Sequence, residues 1–368
     1  MGTSTLPSWV TWPGDDWQQI TPEEAGLDPA RFKAFLDGLD VRPGSFGGED
    51  HSGNRYGAVI TRGGYLVHSW GDRHYRYQTA SVGKALSWPL IGFAVEDGLL
   101  DADQPINRYW TGDGELSHPH KHLDKGFHKN LTWRHIIGHK HGAVHHGGFP
   151  MEVGNRWREK RTGLEEPNVV DGVVEWARWT GDPFYDLYSH AEPGTLGVYS
   201  SAGFWRLGQA LTHVWDRDLK DVIDERLFSK IGIPADRWDW LTGEYVHKQK
   251  YLYPKLPDTY TYLDPPYRVK GHVVRSGPGW VVISASDWAR VGHLIACGGV
   301  WNGKQIIDPQ WLRTHSGGNK CGMYGEGDHF TAMGVVTTAG LEYPYKSVGK
   351  SFIPEEVFTG PVRVKARR

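Results

Sequence analysis

The sequence predicts an α+β chain: an antiparallel sheet flanked by helices, interrupted by a mainly helical domain, with the active site between the two. Three stretches carry this expectation. YGAVITRGGYLVHSWG, residues 56–71, has two strand-like runs around a Gly-Gly turn. The middle of the chain is loop-rich and holds two amphipathic helices. GPGWVVISASDWARVGHLIAC, residues 277–297, then returns to a strand followed by a helix. These place the sheet region at residues 20–105 and 270–368, discontinuous in sequence, and the helical insert at 106–269.

The elements follow in order. In DPARFKAFLDGL, residues 28–39, Asp28 is an N-cap, Pro29 suits the first turn, and Phe32, Phe35, Leu36 and Leu39 form one apolar stripe. Arg62-Gly63-Gly64 marks the hairpin turn. From Ser81 to Asp97, the apolar residues Ala85, Leu86, Leu90, Ile91, Ala94 and Val95 recur at helical spacing with few charges, as in a buried helix. Pro89 should disturb its first turns, and Gly98 ends it. Phe204, Leu207, Leu211 and Val214 mark one helix of the insert; Leu219, Val222, Ile223 and Leu227 mark the next. Ser284 and Asp287 form a capping box before a helix carrying Trp288, Val291 and Ile295. A turn at Asn302-Gly303 precedes a short helix opened by Asp308-Pro309. The tail beyond residue 330 holds apolar runs expected to join the hairpin in one sheet.

Composition removes several function classes. A formal charge of -2 and a pI near 6.8 provide no basic field for nucleic acid. No run approaches the roughly 20 apolar residues of a membrane span, and the first residues, MGTSTLPSWVTWPGDDWQ, lack the basic start and apolar core of a secretory signal. A cytoplasmic protein is the expectation for the chain as it stands, and a periplasmic or secreted one if a signal was removed. Cys297 and Cys321 sit in unlike contexts and form no CxxC pair, so no disulfide is expected. The 18 Trp and 17 Tyr are spread along the chain, which suits core and groove lining better than a repeated carbohydrate platform.

The chemistry-bearing stretch is YQTASVGKALSW, residues 77–88. A serine hydroxyl is a weak nucleophile until a base takes its proton. On a helix, positions three apart share a face, so Ser81 and Lys84 can meet within one turn. To accept a proton near neutral pH, Lys84 must fall from about 10.4 towards 7, which takes roughly 4 to 5 kcal/mol of environment. A second polar partner is suggested by PGTLGVYSSAGFW, residues 193–205, where Tyr199 stands two residues before Ser201. A phenol beside an ammonium can shuttle a proton.

With both motifs in view, the chain resembles the serine beta-lactamase and penicillin-binding-protein superfamily, in particular the branch holding class C beta-lactamases and family VIII esterases. The order of motifs carries the resemblance: YQTASVGKALSWPLIGFAVEDGLLDADQP, then LTWRHIIGHKHG, then PGTLGVYSSAGFWRLGQAL, then SGPGWVVISASDWARVGHLIACGGVWNGKQIIDPQWL. It implies a beta-lactamase/DD-peptidase-like fold, Ser81 as the acylated nucleophile, Lys84 as its proton partner and Tyr199 as general base or shuttle. Whether Lys84 or Tyr199 is the base stays open. Ser201 falls where many relatives carry asparagine and resembles the esterase-like members; it is a candidate substrate contact.

The family's third motif, KTG or HxG on the strand facing the nucleophile, supplies a backbone N–H to the oxyanion. Its best match here is His315-Ser316-Gly317, which makes His315 and Gly317 candidate substrate-binding residues; Lys346 to Gly349 and Thr331 to Val336 are the alternatives. Nine of the 19 histidines lie between His118 and His146, and His139, His141, His145 and His146 have zinc-ligand chemistry. HExxH is missing, so no metal and no cofactor is expected. Glu165-Glu166-Pro167-Asn168 has the look of a class A deacylation segment without that class's other motifs.

The expected function is a serine hydrolase acting through an acyl-serine, foremost a carboxylesterase on small or medium acyl esters. A beta-lactamase or D-amino-acid-directed amidohydrolase shares the chemistry. A non-catalytic penicillin-binding-like module and a metal-dependent hydrolase are the rivals from other classes. The partner is a small-molecule ester or amide, with no nucleic acid and no membrane span.

Overall fold

Residues 29–37 fold as the sequence expects, because Asp28 supplies the cap that the first free backbone N–H groups need. In the computed structural model, which describes residues 6–39, 57–112, 123–124, 126–137, 169–170, 173–174, 193, 201–249, 263, 265–315, 319–320, 329–330 and 353–364, helix α1 spans Pro29–Asp37. The Asp28 carboxylate accepts from Arg31 N at 2.9 Å. Strands β1 (Gly57–Arg62) and β2 (Tyr65–Gly71) form the antiparallel hairpin, with Ile60 opposite His68 and, after a register shift, Arg62 opposite Tyr65. Gly63 and Gly64 make the turn at φ 59° and 92°, the left-handed region that a two-residue hairpin turn requires.

After the hairpin come β3 (Arg76–Gln78), a 3-10 helix (Ala80–Leu86), α2 (Ser87–Glu96), α3 (Trp133–Ile137) and the short strands β4 (Val169–Val170) and β5 (Val173–Val174). Then follow α4 (Ser201–Trp215), α5 (Leu219–Arg226), β6 (Asp239–Trp240), α6 (Gly243–Gln249), β7 (Arg268–Val269), β8 (His272–Val273) and β9 (Val281–Ser284). The last are α7 (Ala285–Ala296), β10 (Val300–Trp301), β11 (Lys304–Gln305), α8 (Pro309–His315), β12 (Asn319–Lys320) and β13 (His329–Phe330). The chain mixes helices with antiparallel strands, an α+β architecture.

The three-stranded sheet β3-β9-β6 positions the site. Tyr77 pairs with Ile283 and Trp240 with Val281, both antiparallel, so the chain leaving β3 runs past the turn that enters β9. The helix expected from Ser81 onward is in fact two segments, 3-10 up to Leu86 and α from Ser87. Pro89 explains the break. It has no N–H for an α-type bond to Ala85 and its ring crowds that carbonyl, so it is tolerated only in the first turn of α2. Trp88, Leu90, Ile91, Phe93 and Ala94 are buried, and Gly98 at φ 70° closes the helix with Leu99 N donating to Ala94 O at 2.8 Å.

A Cβ at Gly92, in the middle of α2, would lie 2.6 Å from the Trp311 indole nitrogen, which itself donates to Trp88 O at 3.2 Å. Glycine to alanine in a helix interior ordinarily gains about 1 kcal/mol. Here the sign should reverse: Gly92→Ala is expected to cost about 1–3 kcal/mol through overpacking, read from urea unfolding. A stabilised variant would show that Trp311 can give way.

Ser284 caps α7 as expected, its Oγ accepting from Asp287 N at 3.1 Å and donating to the Asp287 carboxylate at 2.9 Å. The same helix clamps the N-terminal segment across the molecule. Arg290 donates to Gly14 O at 2.5 Å and Asp15 O at 3.1 Å, Ser286 O accepts from the Trp17 indole at 2.9 Å, and His293 Nε2 donates to Thr11 O at 2.8 Å. Asn302 and Gly303, at φ 47° and 76°, turn β10 into β11, and Asp308 caps α8 by accepting from Trp311 N at 2.6 Å. Of the tail expected to extend the sheet, residues 331–352 lie outside the described residues. Residues 353–364 reach the hairpin side, where Phe358 bridges Leu27 and Ile353, Val357 and Val362 pack with Phe32, Ile60 and Val67.

Candidate active site

The site is built where the 3-10 helix meets the turn before β9. Thr79 N and Oγ1 both donate to Val281 O, at 2.8 and 2.9 Å, which pins the entrance of the 3-10 helix to the sheet. Val82 N then closes the first turn on Thr79 O at 3.0 Å. Gly83 lies so close to the turn that a Cβ would stand 2.9 Å from Gly279 Cα. Three residues per turn puts positions 81 and 84 on one face of the segment.

Lys84 is 3% exposed, and its Nζ donates to Pro278 O at 2.7 Å. The amine also stands 5.7 Å from the centre of the Phe204 ring, on the second turn of α4. Burial holds this lysine well below its ordinary value, because a desolvated ammonium is costly where a neutral amine is not. Burial thus shifts Lys84 in the direction that proton acceptance needs.

Ser201 is the first residue of α4, three positions before Phe204, so the start of that helix and Lys84 share a neighbourhood. Ser81 lies in the 3-10 helix by its backbone, and the side chains of Ser81 and Ser201 are outside what is described. Tyr199 and Gly317 lie outside the described residues, and His315 is placed only as the last residue of α8. His139, His141, His145, His146, the segment from Glu165 to Asn168, and both alternative third motifs lie outside them as well. Among the described residues no group of three or more His, Cys, Asp or Glu is placed to hold a metal ion, and no helix is long and apolar enough to cross a membrane.

Sequence reasoning missed the backbone that faces Lys84. The turn 276–280 is wedged between the 3-10 helix and α4: Gly83 abuts Gly279, and Gly277 abuts Phe204 O so closely that no side chain fits there. The signal was present as Gly277-Pro278-Gly279, whose glycines mark close approach of backbones.

The beta-lactamase family model matches residues 42–334, a span that takes in both motifs and the 276–280 turn. The chain belongs to the beta-lactamase family. Members of this family are serine hydrolases. Among solved structures, a penicillin-binding-protein homolog from Caulobacter crescentus is 14% identical, with 84% of this chain and 81% of that one covered and a TM-score of 0.48. A penicillin-binding protein from Bacillus halodurans is 15% identical over 75% of this chain and 77% of its own, with a TM-score of 0.45. A class C beta-lactamase from Rhodobacter sphaeroides is 17% identical over 78% and 70%, with a TM-score of 0.44. No curated protein matches the chain.

Proposed function

We propose that this beta-lactamase-family protein hydrolyses small or medium acyl esters through an acyl-enzyme formed on Ser81. The observation that carries the reading is Lys84: one turn beyond Ser81, buried, and with its amine held by Pro278 O at 2.7 Å. In the acylation step the Ser81 hydroxyl gives its proton to the Lys84 amine, directly or through Tyr199. Its oxygen then bonds to the acyl carbon, and the alcohol leaves with that proton. Water then gives a proton to the same pair and bonds to the acyl carbon; the bond from that carbon to the Ser81 oxygen breaks, the oxygen takes the proton back, and the acid is released. The substrate lies between the sheet region (20–105 and 270–368) and the insert (106–269), with Ser201, His315 and Gly317 as its contacts. Ser201 in place of the family's more usual asparagine favours esters.

A fluorophosphonate should modify one residue, Ser81. Ser81→Ala is expected to abolish labelling and lower p-nitrophenyl acetate turnover by at least about 10³-fold. Undiminished labelling of that variant would sink the assignment. The family match favours a second reading, hydrolysis of beta-lactams or of amides beside a D-amino acid, and faster turnover of nitrocefin than of short p-nitrophenyl esters would select it.

A further inference from the structure

Trp280 is a bulky side chain on a left-handed backbone, at φ 58°, where glycine is the usual occupant. Such a conformation costs of order 1–3 kcal/mol and persists only when the surroundings over-determine it. Here two features do so. The residue is 6% exposed and its ring belongs to the main apolar core, and its backbone is tied at both ends. Trp280 O accepts from Leu241 N at 3.1 Å, while the carbonyl before it, Gly279 O, accepts from the Trp240 indole at 3.0 Å.

The consequence is a run of four carbonyls with four different partners: Pro278 O to Lys84, Gly279 O to Trp240, Trp280 O to Leu241, and Val281 O to Thr79. Two consecutive positive φ angles, 143° at Gly279 and 58° at Trp280, separate the Pro278 carbonyl from the regular strand that starts at Val281. If Trp280 took an ordinary negative φ, the turn ahead of it would swing relative to β9, and the Pro278 carbonyl would go with it. Gly83 against Gly279 and Gly277 against Phe204 O leave little room for a compensating shift.

We infer that Trp280 is a positioning residue: its buried ring holds the left-handed turn that aims the Pro278 carbonyl at the Lys84 amine. Trp280 acts through that backbone group. The inference rests on Ser81 being the nucleophile that Lys84 serves.

The test compares Trp280→Ala, Trp280→Gly and Trp280→Phe with the parent chain in fluorophosphonate labelling rate and melting temperature, the labelled residue being identified in each by peptide mass. Alanine loses the ring and still disfavours positive φ. Glycine loses the ring and accepts it freely. The expected result is a labelling rate at least about tenfold lower in Trp280→Ala, with Trp280→Gly recovering most of it and Trp280→Phe near the parent. A ring needed only for packing predicts the opposite order, glycine as slow as alanine or slower, and that order overturns the inference, as does an alanine variant as fast as the parent. If alanine does not fold, glycine within about threefold of phenylalanine supports the inference and glycine tenfold slower overturns it. Absence of label on Ser81 in the parent would instead remove the serine reading, and the positioning role with it.

Discussion

Lys84→Met is expected to make the protein more stable at neutral pH while lowering its acylation rate by about 10²–10⁴-fold. Methionine nearly matches the lysine stem in volume and brings no charge into a pocket where Lys84 is 3% exposed. The sign follows from proton linkage. Burial puts the folded-state value of Lys84 well below the 10.5 of the free side chain, so between the two the unfolded chain holds a proton that the folded chain lacks. Folding therefore works against that proton at neutral pH, and the penalty fades as pH rises to 10.5. Methionine carries none of it. Against this stands the loss of the bond to Pro278 O, which leaves a buried carbonyl without that donor and returns roughly 1 kcal/mol. A net gain in stability at pH 7 is expected, shrinking towards pH 10. Urea unfolding of both proteins at the two pH values measures it. A methionine variant that is less stable at pH 7, with a gap that does not change with pH, would show that Lys84 is charged in the folded protein.

Acid should open the N-terminal clamp. His293 is buried against Trp12, Trp17 and Trp301, and burial pushes its imidazole down to about 4 from 6.5 although the bond to Thr11 O acts in the other direction. As pH falls below 6.5 the unfolded chain takes up a proton that the folded chain refuses. The stability present above 6.5 is lost progressively down to about 4, and that loss amounts to about 3 kcal/mol at 1.36 per unit. Carboxylates titrating in the same range act on parent and variant alike, so the difference isolates the imidazole. His293→Gln, which keeps a donor for Thr11 O, should lose about 2 kcal/mol less than the parent between pH 6.5 and 4.5. The early loss should appear as faster amide exchange in residues 11–17, the stretch held by His293, Arg290 and Ser286 O. Parallel pH curves for the two proteins would mean that the imidazole is solvated in the folded chain.

Local elements were legible because their signals are local. The Asp28 and Ser284 caps, the Gly63-Gly64 and Asn302-Gly303 turns, and the closing Gly98 each depend on one to four adjacent residues, and each stands where the pattern puts it. Pro89 was read as a disturbance of the helix and is the reason that α2 begins at Ser87 and leaves Ser81 in a 3-10 turn. The tightness of that turn was not legible, since it depends on Gly83 lying against Gly279, nearly two hundred residues away.

The candidate site divides in the same way. The sequence by itself determined which atoms could do chemistry, because the hydroxyl of Ser81 and the amine of Lys84 are properties of residue type, and their shared face follows from a spacing of three. It also determined the family, whose model matches residues 42–334. Only the tertiary structure decided the lowering of the Lys84 pKa and the direction of its amine. Those depend on a desolvated pocket and on one backbone carbonyl, at Pro278, which the β3-β9 pairing and the left-handed turn at Trp280 bring to it. Desolvation is a property of everything packed around a group, and a carbonyl has the same covalent form at every residue. Neither leaves a mark on the residue types of YQTASVGKALSW.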